Sequence, residues 1–436
     1  MSTQQASASG PGGAEPLPKV DIKPLLSRLW PLGHPDPVSA DEIAQAISYF
    51  FTNQVSDVQA GSLLMCLHFT GLDRQAEVLQ KTAAAMLKSA AKIDSESLRA
   101  VVQQRGRKEG DYHGGLCDIV GTGGDSHNTF NISTTASILA SSLLLLSKHG
   151  NKASTSKSGS ADLLACMIPR SPQISRVRPD TISSLYSKSN YGFLFAPVFH
   201  PGMRHVAPIR RQLPWRTIFN LVGPLANPVD IIAQDGQGSS SQSSLLEARM
   251  IGVARKDLGP VFATALQLAG AQKAMVVCGD EELDEISCAG STLCWKLSPS
   301  SQQQQSGQAS AVVEHFLLHP SDFGLPTHPL STVSPGKEPT ENAAILAKIL
   351  NDQMQEDDPI LHFVLINTAA LFVVSGICEA DTSDMGHGDD GKVVKERGPG
   401  GGRWKEGVRR ARWAITSGEA ARQWAAFVDV TNGFEE

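Results

Sequence analysis

Apolar residues recur with a helical period through the first quarter of the chain. Ser39 followed by Glu42, and Ser56 followed by Gln59, fit the capping-box pattern, and each pair precedes a periodic apolar segment, Ile43 to Phe51 and Val58 to Phe69. Asp73 is expected to open a third helix through Val78, Leu79, Ala85 and Leu87. Residues 20–104 therefore predict a small all-helical domain. After a polar stretch at 105–115, which reads as an insertion loop, the pattern changes to short apolar strands alternating with helices. Leu116–Val120, Lys273–Cys278, Ser291–Leu297 and Ala311–Leu317 read as strands, and Leu143–Leu146 as the end of a helix. The alternation predicts a large α/β domain with a mainly parallel central sheet.

Low-complexity runs rich in Gly, Ser, Gln or Asp at 235–244, 299–310 and 380–402 predict surface insertions, since such compositions bury little apolar area. Residues 1–19 read as a disordered tail with no apolar targeting core. The longest apolar stretch, Ile360 to Ile377, is interrupted by His362, Asn367, Thr368 and Ser375, and predicts a buried core helix in preference to a membrane span.

Composition narrows the function. With 436 residues and 41% hydrophobic content the chain can bury a large core shared by two or three domains. A net charge of −6 argues against a nucleic-acid coat or a membrane-surface binder, so any anion site must be built locally. The seven cysteines are scattered without C-x-x-C spacing, which indicates neither a disulfide framework nor a zinc site and fits a cytoplasmic protein.

The candidate chemistry lies in two polar blocks around one apolar run. Asp118 to Thr134 joins a strand end to a glycine-rich turn, Gly121, Gly123 and Gly124, and then to Asn131, Ser133 and Thr134 at a helix start. Glycines let backbone N–H groups approach a ligand, and a helix N-terminus favours anions. Lys148 to Asp162 adds three lysines, two glycines and several hydroxyls. Two such blocks imply a ligand rich in phosphate, although plain helix capping is the competing reading of Asn131 and Ser133. An acidic run, Asp280 to Glu285, follows the strand ending at Cys278, and the default reading of such a run is a solvated loop.

These residues, together with Lys148-His149-Gly150-Asn151, Phe195-Ala196-Pro197, His200 to His205, Arg216 to Pro228 and Leu283-Asp284-Glu285, resemble the anthranilate phosphoribosyltransferase family in order and spacing. The resemblance covers nearly the whole chain outside the tail and insertions. It implies transfer of the phosphoribosyl group of 5-phosphoribosyl-1-diphosphate (PRPP) to the amine of anthranilate, the second step of tryptophan biosynthesis from chorismate. It also implies Mg2+, as two ions, and a homodimer formed through the helical domain, to which a segment near 185–215 returns. The α/β domain then comprises 105–184 and 216–436.

By that resemblance, PRPP meets Gly121, Thr122, Gly123, Gly124, Asp125, Thr129, Asn131, Ile132, Ser133, Thr134, Lys148, Asn151, Lys152, Ala153, Ser154, Thr155, Ser156 and Ser160. Lys148 supplies charge stabilisation. Anthranilate meets Gly121, His149, Asn151, His200, Arg210 and Pro224, with Arg210 on its carboxylate. Ser133, Asp284 and Glu285 hold metal. No side chain stands out as a general acid or base. Lys152 departs from the family's usual arginine, keeping the charge but losing the planar fork. A pyrimidine nucleoside phosphorylase of similar architecture and a catalytically silent relative are the competing readings; the Asp284–Glu285 pair favours diphosphate over the first.

Overall fold

The structure, a computed structural model, describes residues 17–153, 157–230, 244–299, 311–333 and 338–435. The tail to residue 16, most of the run at 235–244 and residues 300–310 lie outside the described residues.

The chain begins with helices α1 (Lys23–Leu29), α2 (Ala40–Phe51), α3 (Asp57–Thr70), α4 (Ala76–Lys88) and α5 (Ser95–Arg105). Ser39 and Glu42 form the full capping box at α2. At α3 only half of it forms: Ser56 accepts from the Gln59 N–H, while the Gln59 side chain turns away to accept from the Ile22 N–H and donate to Asp21. Asp73 does not open α4. It is buried in a short 3-10 turn, Leu72–Arg74, and the helix starts at Ala76 after Gln75. The segment Met203–Arg210 is a helix whose Val206 and Ile209 join the core of α2 to α4. Helix α5 goes the other way, burying Leu98 and Val102 in the α/β core although it continues the helical run in sequence.

The central sheet has seven strands, β1 (Leu116–Gly121), β2 (Leu145–Gly150), β3 (Tyr191–Phe195), β4 (Leu246–Gly252), β5 (Lys273–Gly279), β6 (Thr292–Pro299) and β7 (Ala311–Leu318), in the order β3-β2-β1-β4-β5-β6-β7. The first five run parallel; β6 and β7 form an antiparallel edge. Leu143–Leu146 is not a helix end. Helix α6 (Ile132–Ala140) stops earlier, and Leu145 and Leu146 begin β2, because an apolar run buried on both faces has no period to separate strand from helix. Ile360 to Ile377 lies mostly within the buried helix Pro359–Ser375, and among the described residues no helix is long and apolar enough to cross a membrane.

Two stretches expected at the surface contribute to the interior. In 105–115, Tyr112 is buried, donating to the Gly115 carbonyl and accepting from the Leu145 N–H. Glu109 pairs with Arg107 and with the fully buried Arg410. In 380–402, Met385 is buried and Asp389 joins Glu406 in holding Arg409. Paired charges let a polar segment be buried with little apolar area, which composition does not reveal.

This topology reverses direction at β1, between β2 and β4. A crevice opens outside the carboxyl ends of the strands at such a switch point, and both polar blocks emerge there.

Candidate active site

Gly121 ends β1 in register with Gly252, which ends β4, and both face Asp284. A Cβ on Gly121 would lie 2.3 Å from Asp284 Oδ2, and one on Gly252 would lie 1.6 Å from the Asp284 carbonyl oxygen. These glycines are needed for close approach. Beyond β1 the loop turns through Gly123 and Gly124, with φ of 64° and 82°.

The Gly123 N–H donates to Asp284 Oδ2 at 2.6 Å, and the Ser133 N–H at the start of α6 donates to Glu285 Oε1 at 3.3 Å. Asp284 and Glu285 thus sit against the glycine loop and the α6 N-terminus, the two places that would meet a diphosphate. Burial, aided by Asp125, pushes the Asp284 carboxyl up to about 7. Burial and then Asp284 push Glu285 well above the usual carboxylate range. Burial of this kind favours the protonated acids, and a further cation bound beside them would favour the carboxylates. Among the described residues no three His, Cys, Asp or Glu side chains converge as a self-sufficient metal site. Two carboxylates completed by diphosphate oxygens and water nevertheless fit Mg2+, which seldom takes an all-protein cage.

Lys148 lies beneath these acids. Its ammonium is buried and donates to the Ile119 carbonyl at 2.7 Å. Burial lowers its pKa, while Asp118, Glu285 and Asp284 support the charge. Asp118 is held by Asn227, whose amide donates to Asp118 Oδ2 and to the Ser147 carbonyl, both at 2.8 Å, joining the middles of β1 and β2.

The second block packs against the first through Asn131. Its amide donates to the Ser158 carbonyl, and its Oδ1 accepts from Ser158 Oγ and from the Asn342 amide. Asn131 caps α6 by position, but its side chain makes no capping bond. Asp162 gathers the Ala153 and Gly159 N–H groups, and Ser160 Oγ exchanges hydrogen bonds with the Asn151 backbone. These contacts tie 151–153 to 159–162.

Toward the helical domain, His149 and His200 lie with ring centroids 5.2 Å apart. Burial depresses both, His200 to about 4 and His149 well below its ordinary value, so both are neutral near pH 7. His149 Nε2 and His200 Nδ1 are buried with no hydrogen-bond partner. Arg210, at the end of helix Met203–Arg210, lies 5.8 Å from the centroid of the Phe219 ring. Its pKa is lowered by burial and by neighbouring Arg216. A cation beside an aromatic face can bind a flat carboxylate ligand. Pro224 is buried in the adjacent 3-10 turn.

Residues 113–421 match the model of the glycosyl transferase family a/b domain, and residues 23–90 that of its helical bundle domain. The chain is 37% identical over 391 residues to anthranilate phosphoribosyltransferase of Schizosaccharomyces pombe, covering 88% of this chain and 91% of that protein. It is 34% identical over 377 residues to the Saccharomyces cerevisiae enzyme, covering 85% of each. This chain belongs to the anthranilate phosphoribosyltransferase family. The solved S. cerevisiae anthranilate phosphoribosyltransferase in complex with PRPP and Mg superposes with a TM-score of 0.72 at 30% identity, over 93% of this chain and 96% of that one. The Thermus thermophilus enzyme gives 0.65 at 28% identity, over 91% and 97%.

For a member of the anthranilate phosphoribosyltransferase family, most residues singled out from the sequence gather at one crevice. Gly121 to Asp125, Ser133, Asp284 and Glu285 lie together, with Lys148 below. Ile132 and Thr134 are buried in α6, and the Ile132 N–H is taken by the Phe130 carbonyl. Thr129 is half-buried within the first block, Lys152 is exposed, and Arg211 is exposed beside Arg210. Ser154, Thr155 and Ser156 lie outside the described residues. Sequence reasoning missed Arg216, which donates to the carbonyls of Gly123 at 2.6 Å and Thr122 at 2.8 Å. The signal was its place at the head of the Arg216 to Pro228 motif.

Proposed function

We infer that this chain transfers the 5-phosphoribosyl group from PRPP to the amine of anthranilate, releasing diphosphate, as in the second step of tryptophan biosynthesis from chorismate. The observation that carries the reading is the Asp284–Glu285 pair seated against the glycine loop and the α6 N-terminus, in a chain whose relatives over most of their length bear this activity. As the bond from C1 to diphosphate breaks, the ribose gains oxocarbenium character and the leaving group gains charge. Stabilising that charge is the main task. The Gly124 N–H donates to the phosphate oxygens, the Gly123 and Ser133 N–H groups orient Asp284 and Glu285 beside them, and the Lys148 ammonium offsets the negative charge from below. Asp284, Glu285 and the Ser133 hydroxyl would hold Mg2+, one or two ions, which when bound supplies further positive charge to the diphosphate. Arg210 anchors the anthranilate carboxylate, and the Phe219 and Pro224 surfaces with neutral His149 and His200 shape its slot. The aniline nitrogen sheds its proton readily once the C–N bond forms, so positioning suffices without a general base.

The active form is a cytoplasmic homodimer. Val58, Met65 and Phe69 lie along one exposed stripe of α3, at 79%, 39% and 61% exposure, with Trp30 and Leu32 also exposed beyond α1. An apolar stripe of this kind on a helical domain favours self-association. The test of the activity is to mix the purified protein with PRPP, Mg2+ and anthranilate and follow anthranilate fluorescence. Loss that requires all components supports the reading; unchanged fluorescence at high enzyme overturns it.

A further inference from the structure

Arg216 places both arms of its guanidinium on consecutive carbonyls of the glycine loop. Nη2 donates to Thr122 and Nη1 to Gly123. A trans peptide holds its C=O and N–H in opposite directions, so fixing a carbonyl also aims the N–H of the following residue. The same peptide unit whose carbonyl Arg216 holds, Thr122 to Gly123, turns its N–H to Asp284 Oδ2 on the other side. The next unit, Gly123 to Gly124, is held likewise, which directs the Gly124 N–H away from Arg216. The planar fork suits two neighbouring acceptors in a way that a single ammonium cannot.

Gly124 is shaped around this contact. A Cβ there would lie 1.0 Å from Arg216 Nη1 and 2.3 Å from its Cζ. A side chain here would displace the guanidinium from the loop, and φ of 82° also favours glycine. Arg216 is partly buried, its pKa lowered by that burial and supported by Asp284 and Asp125 across the loop. It follows Trp215, whose ring stands 5.1 Å from Phe69 and 6.0 Å from His68 of α3, so the arm reaching the loop is braced on the helical domain.

We propose that Arg216 is a positioning residue for the phosphoribosyl transfer: by holding the Thr122 and Gly123 carbonyls it aims the Gly123 N–H at the carboxylate of Asp284 and the Gly124 N–H at the diphosphate. The inference rests on the PRPP reading of the site. Arg216 touches neither C1 nor the amine; it acts through the peptide groups of residues 122–124.

The test compares Arg216→Ala and Arg216→Lys with the parent in steady-state kinetics for both substrates, and in calorimetric titration with magnesium diphosphate. Arg216→Ala is expected to raise the KM for PRPP and weaken magnesium diphosphate binding about ten- to a hundredfold, with the KM for anthranilate unchanged. Arg216→Lys, which can hold one carbonyl at a time, falls between. Millimolar methylguanidinium, filling the space left by the alanine, recovers part of the loss only in Arg216→Ala. The inference is overturned if Arg216→Ala binds magnesium diphosphate like the parent, or if both variants lose the two substrates equally without recovery by methylguanidinium. Parent protein that binds magnesium diphosphate but turns over no anthranilate would count against the proposed activity, while the calorimetric comparison would still decide the role of Arg216.

Discussion

Replacing Gly252 with alanine tests whether the position of Asp284 controls the reaction. The added Cβ would sit 1.6 Å from the Asp284 carbonyl oxygen and 2.4 Å from its carbonyl carbon, where real contacts do not fall below 3.0 Å. The obstacle is backbone, so no rotamer change relieves it, and the 284–285 segment must retreat by about 1.4 Å. On its other side Asp284 already abuts Gly121, which leaves the loop no room to slide along the sheet. Overpacking of this kind costs about 1–3 kcal/mol of stability, little enough for the domain to fold. Catalysis should suffer more. A displacement of about 1 Å at a reacting constellation costs on the order of a hundredfold, and Mg2+ tolerates little deviation from octahedral geometry. The assay is kcat/KM measured across a Mg2+ titration, with the thermal midpoint recorded in parallel. Gly290→Ala is the control, because a Cβ there meets nothing within 4 Å. Folded Gly252→Ala protein with the parent's kcat/KM and Mg2+ requirement would refute the role assigned to Asp284.

Arg210→Ala should raise the KM for anthranilate about ten- to a hundredfold and leave that for PRPP near the parent's; the reverse pattern would move the carboxylate contact elsewhere. Because burial holds His200 near 4 against an ordinary 6.5, the unfolded chain binds its proton first as pH falls. The stability His200 contributes is therefore full above about pH 6.5 and is lost toward pH 4, by up to about 3 kcal/mol. Thermal midpoints across that range should fall less steeply for His200→Gln, and parallel curves would contradict the assignment. Sedimentation should show a two-subunit particle that Phe69→Glu converts to monomer; a parent that is monomeric at micromolar concentration removes the stripe on α3 as its interface.

What the sequence revealed tracks how local the determining interactions are. Ser39 and Glu42 lie three residues apart and form their box as read, and strands such as β5 are bounded by turns that the sequence displays. The two polar blocks were visible because their glycines and hydroxyls are contiguous. Where distant partners decide, the sequence was silent or misleading. Gln59 left its box for Ile22, and α5 packed away from the helices it follows. The run Leu143–Leu146 is buried on every side, so it carried no period to mark a strand. Asn131 looked like a cap or a ligand residue, and its side chain instead joins Ser158 and Asn342, the latter 211 positions away. Arg216 reads as one more basic residue near a motif until its carbonyl partners, more than ninety positions earlier, are brought against it. Its effect on the loop is a property of peptide orientation, which no residue pattern encodes.

Stoichiometry decides whether the phosphoribosyl group of PRPP reaches anthranilate in this crevice. Purified protein with Mg2+, PRPP and anthranilate should consume one anthranilate for each diphosphate released, yielding a product whose mass equals anthranilate plus the phosphoribosyl group. Both signals should stop on EDTA addition and resume with excess Mg2+. Diphosphate release without anthranilate consumption, or turnover by metal-free protein at the parent rate, would contradict it.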